Sequence, residues 1–171
     1  MSQPGALRLF VVMLGGRYLR ANTEQHDVVF AVGDRIEATY PQLRAQWGGQ
    51  PKGLHLDSWL VVDGVDGYQV QLLPEGAPPH ALKLYFVNLG GYVAGQFGEA
   101  HSYRLVVASD EKQAKAKALA ACEPTWIKPH RDALMEVDDC LALGEIGGLH
   151  VHLQPGPHAP IACHSDYIVI S

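Results

Sequence analysis

The chain contains an internal repeat, and this repeat restricts its architecture more than any other feature. Residues 7–33, LRLFVVMLGGRYLRANTEQHDVVFAVG, return 75 residues later as LKLYFVNLGGYVAGQFGEAHSYRLVVA, residues 82–108. The two segments match in their apolar runs, in a pair of glycines and in an E-x-H motif. A duplication of this length predicts two copies of one structural unit.

Each copy has the same predicted order of elements. An apolar strand ends at two glycines, a second strand follows a polar loop, and a helix comes next. Two more strands complete the copy, because 54–63 resembles 129–138 and 67–72 resembles 148–153 after a short insertion. We therefore predict an α+β fold with antiparallel or mixed sheets, in which a strand–strand–helix–strand–strand unit occurs twice with approximate two-fold symmetry.

The repeat also sets the predicted boundaries. We place the first repeat at residues 7–73, the second at 82–154, and an unduplicated C-terminal extension at 155–171. The linker between the repeats is short and rich in proline, which favours two halves packed as one pseudo-symmetric globule. Residues 167–170 are apolar and predict an extra edge strand, which a second copy could pair with. A homodimer formed there would be an additional contact and not a condition for folding.

Composition and charge exclude several classes of partner. The 171 residues carry a net charge of −5 and no basic run, which argues against nucleic acid as the main partner. The apolar runs are far shorter than the roughly 18 residues of a membrane helix, and the N-terminus lacks the layout of a signal peptide. We therefore expect a cytoplasmic protein with no membrane partner. The three cysteines form no C-x-x-C pair, so neither a disulfide framework nor a zinc knuckle is expected.

Two short motifs supply the residues that could carry chemistry. An E-x-H motif opens the second predicted strand of each repeat, and an H-x-D motif opens the third. Residues two apart in an extended chain point to the same side, so each motif places a carboxylate beside an imidazole. The candidate binding residues are Glu24, His26, His55 and Asp57 in the first repeat, and Glu99, His101, His130 and Asp132 in the second.

These side chains leave three functions open. Histidine and carboxylate groups suit zinc, iron, manganese or nickel, so the chain could bind a divalent metal or a small molecule at a duplicated Glu/His/Asp site. The same groups suit general acid–base catalysis, as in a hydrolase or an isomerase. They can also satisfy loop amides at the entrances of strands, which would make the chain a structural or oligomerisation module without a ligand.

The glycine pairs that end the first strand of each repeat are interpreted as structural. Gly15-Gly16 and Gly90-Gly91 lack the G-x-G-x-x-G spacing of a dinucleotide site, and no helix follows them directly. Such pairs are typical of a strand end at which another part of the chain comes close.

The order of the motifs resembles a known protein family. The motifs are LGG, E-x-H with its following strand, TYPQLR, LHLDSW, VDGVDGY and KLYFVNLGGY, and the similarity extends over residues 7–153. In this order they look like a family of small bacterial proteins, the domain-of-unknown-function family 1543. The resemblance implies a bacterial, cytoplasmic protein. It implies no activity, cofactor or partner.

Overall fold

A computed structural model describes residues 5–121 and 136–171, and this part of the chain is mainly β. The strands are β1 Arg8–Gly16, β2 Gln25–Gly33, β3 His55–Val62, β4 Gly64–Val65, β5 Tyr68–Leu73, β6 Lys83–Gly91, β7 Ala100–Ala108, β8 Glu136–Ala142, β9 Glu145–Ile146, β10 Leu149–Pro155 and β11 Ala162–Val169. The helices are α1 Tyr40–Gln46, which a 3-10 turn Ile36–Thr39 precedes, and α2 Glu111–Ala120. The strands form three antiparallel sheets, in the orders β11-β3-β1-β2, β7-β6-β8 and β4-β5-β10-β9.

The predicted fold class, an α+β duplication, is therefore wrong. The two α-helices are only 7 and 10 residues long. Pro41 restricts α1 to a start near its own position, and the backbone of Trp47 is already extended at the other end. The predicted repeat is also not an independent structural unit, because β5 of the first half pairs with β10 of the second half in one sheet. None of the helices in the described ranges has the length and apolarity to cross a membrane.

The first two strands of each half pair in the same register. β1 runs antiparallel to β2 with Gly15 opposite His26, and β6 runs antiparallel to β7 with Gly90 opposite His101. In both pairs the central strand is apolar on both faces, as expected for a strand that is covered on both sides. The E-x-H motifs therefore lie beside the glycine pairs that end the central strands.

The third strand of the second half is displaced from the position that the sequence similarity predicts. Gly15 lies opposite His55 in β3, whereas Gly90 lies opposite Glu136 in β8. The insertion thus precedes β8 instead of following it. By backbone register, Glu136 occupies the position that corresponds to His55.

Both third strands contain one extra residue beside this position. In β3 the neighbours of Asp57 lie opposite consecutive residues of β1, so Asp57 has no partner in that strand. In β8 the neighbours of Asp138 lie opposite consecutive residues of β6, so Asp138 is unpaired in the same way. A bulge of this kind turns a side chain away from the regular alternation. The unpaired residue is an aspartate in both strands.

A helix packs on one face of the sheet β11-β3-β1-β2, and another packs on one face of the sheet β7-β6-β8. Leu43 and Trp47 at the end of α1 pack with the even-numbered apolar residues of β1. Ala114 and Ala118 of α2 pack with alternate residues of β6 and β7 in a separate cluster. The small side chains of α2 allow it to lie close to the sheet. One face of each of these two sheets is therefore covered by a helix.

The inner faces of the two halves share a third apolar core. Leu9 and Val11 of β1 pack in it with Leu84 and Phe86 of β6, and the shared sheet contributes Val151 among others. Toward the C-terminal ends of β1 and β6, the residues at alternate positions lie on the same faces as this core. They are Met13 and Gly15 in β1, and Asn88 and Gly90 in β6. The glycines that flank the candidate motifs thus face the space between the halves, beyond the end of its apolar core.

Candidate functional site

Four candidate side chains of the first half come together above Gly15, and we name this group the Gly15 cluster. Nε2 of His26 lies 2.9 Å from Oδ2 of Asp57 and 3.2 Å from Oε1 of Glu24. Nε2 of His55 lies 3.2 Å from the same Glu24 oxygen and 3.3 Å from Oδ1 of Asp57. Two imidazoles thus share two carboxylates.

The strand order explains this convergence. Glu24 and His26 flank the start of β2, His55 opens β3, and both strands pair with β1 at Gly15. A Cβ on Gly15 would lie 2.5 Å from Nε2 of His55 and 2.8 Å from Oδ2 of Asp57. Any other residue would fill the space in which the four groups meet. The glycine interpreted as a strand end therefore forms the floor of the cluster.

His55 is the most constrained member of the cluster. Its side chain is 2% exposed, and the ring of Tyr167 lies over it with 4.2 Å between ring centroids. Its Nδ1 lies 2.8 Å from the carbonyl oxygen of Gly53, so Nδ1 carries a proton and donates it to that oxygen. The other nitrogen, Nε2, is directed at Glu24 and Asp57. A histidine that ligates a metal commonly has this arrangement, with one nitrogen donating to a carbonyl and the other facing the ion.

Two carboxylates and Nε2 of His55 meet at one point in the Gly15 cluster. In neutral His55, Nε2 would direct a lone pair at two carboxylate oxygens, which is repulsive. Oδ2 of Asp57 is buried and accepts no hydrogen bond from the described residues, since Nε2 of His26 lies close to it but outside hydrogen-bonding geometry. A metal cation between Nε2 of His55 and the two carboxylates would remove the first conflict and would offset the negative charge of the Asp57 carboxylate.

A related group in the second half surrounds Gly90, and we name it the Gly90 cluster. Nδ1 of His101 lies 3.2 Å from Oδ2 of Asp138, and its Nε2 lies 4.0 Å from Oε2 of Glu99. A Cβ on Gly90 would overlap Oε1 of Glu99 and would lie 2.6 Å from Oδ2 of Asp138. Glycine again leaves the space in which the polar groups meet.

The two clusters differ in their histidines. In each, one histidine and two carboxylates place a ligand atom within 4.8 Å of one another, His55 in the Gly15 cluster and His101 in the Gly90 cluster. His55 is buried, whereas the side chain of His101 is 39% exposed. By backbone register, the position of His55 is taken by Glu136 in the second half. The Gly90 cluster is thus the more open of the two.

The structure brings together most of the residues that the sequence singles out. Glu24, His26, His55 and Asp57 form one group, while Glu99 and His101 lie in the other. His130 and Asp132 lie outside the described residues. Asp138, which the sequence comparison aligned with Asp63, was missed as a site residue. Its correspondence to Asp57 becomes apparent only when the insertion is placed before β8. The ring contact between Tyr167 and His55 could not be predicted from the repeat, because Tyr167 lies in the unduplicated C-terminal extension.

Comparison with known proteins agrees with the resemblance of the motifs. The sequence profile described as Domain of Unknown Function (DUF1543) matches residues 21–72, a range that contains all four residues of the Gly15 cluster. The crystal structure of a protein Il1583 from Idiomarina loihiensis is 32% identical in sequence and covers 96% of this chain and 99% of its own, with a TM-score of 0.74. No curated protein matches the chain.

Proposed function

Because this chain belongs to the DUF1543 family, whose description names no activity, we propose its function from the site alone: it binds a divalent transition-metal ion at the Gly15 cluster. One observation carries the proposal. His55 is buried with its Nδ1 proton donated to the carbonyl of Gly53, and its Nε2 faces two carboxylate oxygens. A cation placed between these atoms accepts a lone pair from each of them.

The spacing of the ligand atoms fits such an ion. Metal–ligand bonds of about 2.0–2.2 Å separate neighbouring ligands in a tetrahedral site by about 3.4 Å. Nε2 of His55 lies 3.2 Å from Oε1 of Glu24 and 3.3 Å from Oδ1 of Asp57, so the groups would move little on binding. Three protein ligands would leave one position for water or a substrate.

The ligand types favour zinc, manganese or iron over calcium. A buried imidazole suits these transition metals, whereas calcium requires six to eight oxygen ligands. His26 lies on the exposed side of the cluster, with its side chain 49% exposed, and contacts both carboxylates. It is placed to hold the carboxylates in position or to act on a ligand at the open coordination site.

Metal titration of the full-length protein tests the proposal. After treatment with a chelator, the protein is titrated with Zn²⁺ and with Mn²⁺ by calorimetry, and bound metal is counted by mass spectrometry. We expect tight binding of one ion at this cluster. Glu24→Gln and Asp57→Asn should each lower the affinity by about tenfold or more. His80→Gln removes an exposed histidine outside the cluster and should leave the affinity unchanged. Wild-type protein that binds no metal, or a Glu24→Gln variant with unchanged affinity, would contradict the proposal.

The Gly90 cluster supports a second, weaker metal site. It keeps two carboxylates, but His101 is exposed and its Nε2 is 4.0 Å from Glu99. Ordering exposed side chains around an ion costs conformational entropy. We therefore expect a second binding step of lower affinity, which Asp138→Asn removes without changing the first.

A catalytic role is a second candidate, because His26 contacts Asp57 and also lines a cavity between the halves. An aspartate–histidine pair that faces a cavity can serve as a general base, as in a hydrolase or an isomerase. Metal-loaded protein should then hydrolyse an activated ester such as 4-nitrophenyl acetate, and His26→Gln should abolish the reaction while the metal content stays the same. Equal rates for wild type and variant would exclude this role for His26.

A further inference from the structure

The inner faces of the two halves border a cavity of about 320 Å³ that is open to solvent, beyond the end of their shared core. Met13 of β1 and Asn88 of β6 occupy equivalent register positions on its two sides. The cavity therefore lies where the two halves face each other, next to the Gly15 cluster, with which it shares His26. A concave site of this size between two packed sheets is a typical location for a small ligand.

One wall of the cavity is aromatic. The rings of Phe86 and Tyr103 stack with 5.5 Å between their centroids and an interplanar angle of 18°. Met13 and Val28 of the first half also line the cavity. These side chains present an apolar and polarisable surface to the body of a ligand. Tyr103 is 38% exposed and so remains accessible.

The polar groups that line the cavity are dominated by acceptors. Asp27 contributes a carboxylate from β2, and Asp139 contributes another from β8. The amide nitrogen of Asn88 donates to Oδ2 of Asp139 over 3.1 Å. The amide oxygen of Asn88 is buried and has no hydrogen-bond partner in the described residues. No lysine or arginine of the described ranges lines the cavity.

We propose that this cavity binds a small organic cation, a primary amine with an apolar body. The ammonium group would donate to the carboxylate of Asp139, and the charge of Asp27 would add to the attraction. The apolar body would lie against Phe86 and Tyr103, whose ring faces also attract a cation. The groups that would hold the amine, Asp139, Phe86 and Tyr103, are not members of the Gly15 cluster, so this binding needs no metal.

The ionisation of Tyr103 agrees with a negative potential in the cavity. Burial raises the pKa of the Tyr103 hydroxyl above its ordinary value, and the charges of Asp139 and Asp27 raise the pKa further. Both carboxylates thus act on the same part of the cavity wall. A bound ammonium would oppose their effect and lower the pKa of Tyr103, which ultraviolet absorbance can follow.

Three probes of matched shape test the proposal on full-length protein. Binding of 2-phenylethylamine, 2-phenylethanol and 3-phenylpropanoate is measured by calorimetry and ligand-observed NMR in the presence of a chelator. We expect the amine to bind about tenfold or more tightly than the alcohol, and the acid not to bind. Asp139→Asn should remove this preference for the amine. Asp166→Asn removes the same charge on β11, outside the cavity, and should retain it.

The outcomes separate this proposal from metal binding. An alcohol that binds as tightly as the amine, an amine that does not bind, or an Asp139→Asn variant that keeps its preference would each overturn it. Because Asp139 is exposed, the variant should fold, and circular dichroism checks this. Because the chelator removes any bound metal, the amine titration and the metal titration give independent results, and either proposal can fail while the other holds.

Discussion

Nε2 of His55 occupies the space that a Cβ on Gly15 would need, at a distance of 2.5 Å. The two residues lie opposite each other in neighbouring strands, so the pairing of β1 with β3 holds them together. His55 is buried and cannot turn into solvent. The Gly15 cluster therefore depends on a missing side chain as much as on the groups around it.

Replacing Gly15 with alanine should damage the cluster. The methyl group would press on a buried ring, which typically costs about 1–3 kcal/mol of stability, and would displace the ligand atoms. We expect metal affinity to fall by about tenfold or more. Gly76→Ala is the control, because a Cβ there meets no atom within 4 Å. Denaturant unfolding and metal titration measure both effects, and unchanged affinity in Gly15→Ala would place the metal elsewhere.

The ion pair between Arg8 and Asp63 should make a small, pH-dependent contribution to stability. Arg8 donates two hydrogen bonds to the Asp63 carboxylate, 3.0 Å from Nε and 2.7 Å from a terminal nitrogen. The hydrogen bond from Arg8 holds the pKa of Asp63 below its ordinary value of 3.8. The contribution is therefore fully present above that ordinary value and is lost as the pH falls through the lower folded-state pKa.

Both partners of this pair are more than a third exposed at the side chain, so solvent weakens the interaction. Asp63→Asn should cost less than about 1 kcal/mol at neutral pH. The difference from wild type should disappear in acid. Urea unfolding of wild type, Asp63→Asn and Arg8→Ala across this pH range provides the measurement. A difference that grows as the pH falls would contradict the assignment.

Cys140 should react more slowly than Cys163 with an alkylating reagent. Burial raises the pKa of the Cys140 thiol, and the charge of Glu111 raises it further. Since the thiolate is the reactive form, less of Cys140 is reactive at neutral pH. Cys163 is exposed on β11. Peptide mass spectrometry after limited treatment with iodoacetamide should find Cys163 modified before Cys140, and the reverse order would contradict this account of the Cys140 environment.

Ile170, beyond the last strand, should be needed for full stability. Its side chain is 3% exposed in the core beneath α1, and its amide donates to the carbonyl of Leu54 over 2.9 Å. Ile170→Ala should therefore cost about 2–5 kcal/mol. The neighbouring Val169 is 54% exposed, so Val169→Ala should change stability by no more than about 0.5 kcal/mol. Thermal and urea unfolding compare the two, and equal effects would mean that Ile170 is not a core residue.

The edge strand β11 is where we expect self-association. It pairs with β3 on one side, and no strand of the described residues pairs with its other side. Tyr167 and Val169 of this strand are 65% and 54% exposed. Light scattering should detect a concentration-dependent dimer that Val169→Lys prevents, because a charge at an edge opposes pairing. Wild-type protein that stays monomeric at high concentration would rule out this contact.

The strands that begin each half could be predicted from sequence, because their apolar runs are long and end at Gly15 and Gly90. The helical content could not. Residues 109–121 are rich in helix formers and contain α2, whereas Pro41 and the extended backbone at Trp47 limit α1, its counterpart, to 7 residues. The pairing of β5 with β10 could not be predicted either. The alternating pattern of each strand shows that it has one buried face but does not show which strand lies beside it.

The candidate site could be predicted only in pieces. The two-residue spacings place Glu24 beside His26 and His55 beside Asp57, but they do not reveal that β1 lies between the two motifs. A bulge is also invisible to strand alternation, because it adds one residue and leaves the pattern on either side intact. Asp138 was missed for this reason, together with the uncertain place of the insertion that precedes it.

Because β5 and β10 pair in one sheet, backbone hydrogen bonds join the two halves of the chain directly. β10 pairs with β5 over six residues, and β11, from the C-terminal extension, lies beside β3 of the first half. Breaking the backbone at Pro78–Pro79 would leave both of these pairings available. The two fragments should then be able to reassemble as a heterodimer, with the linker serving mainly to raise their effective concentration. The chain could thus report on the proximity of two fused proteins, as a split protein that regains its fold when its pieces meet.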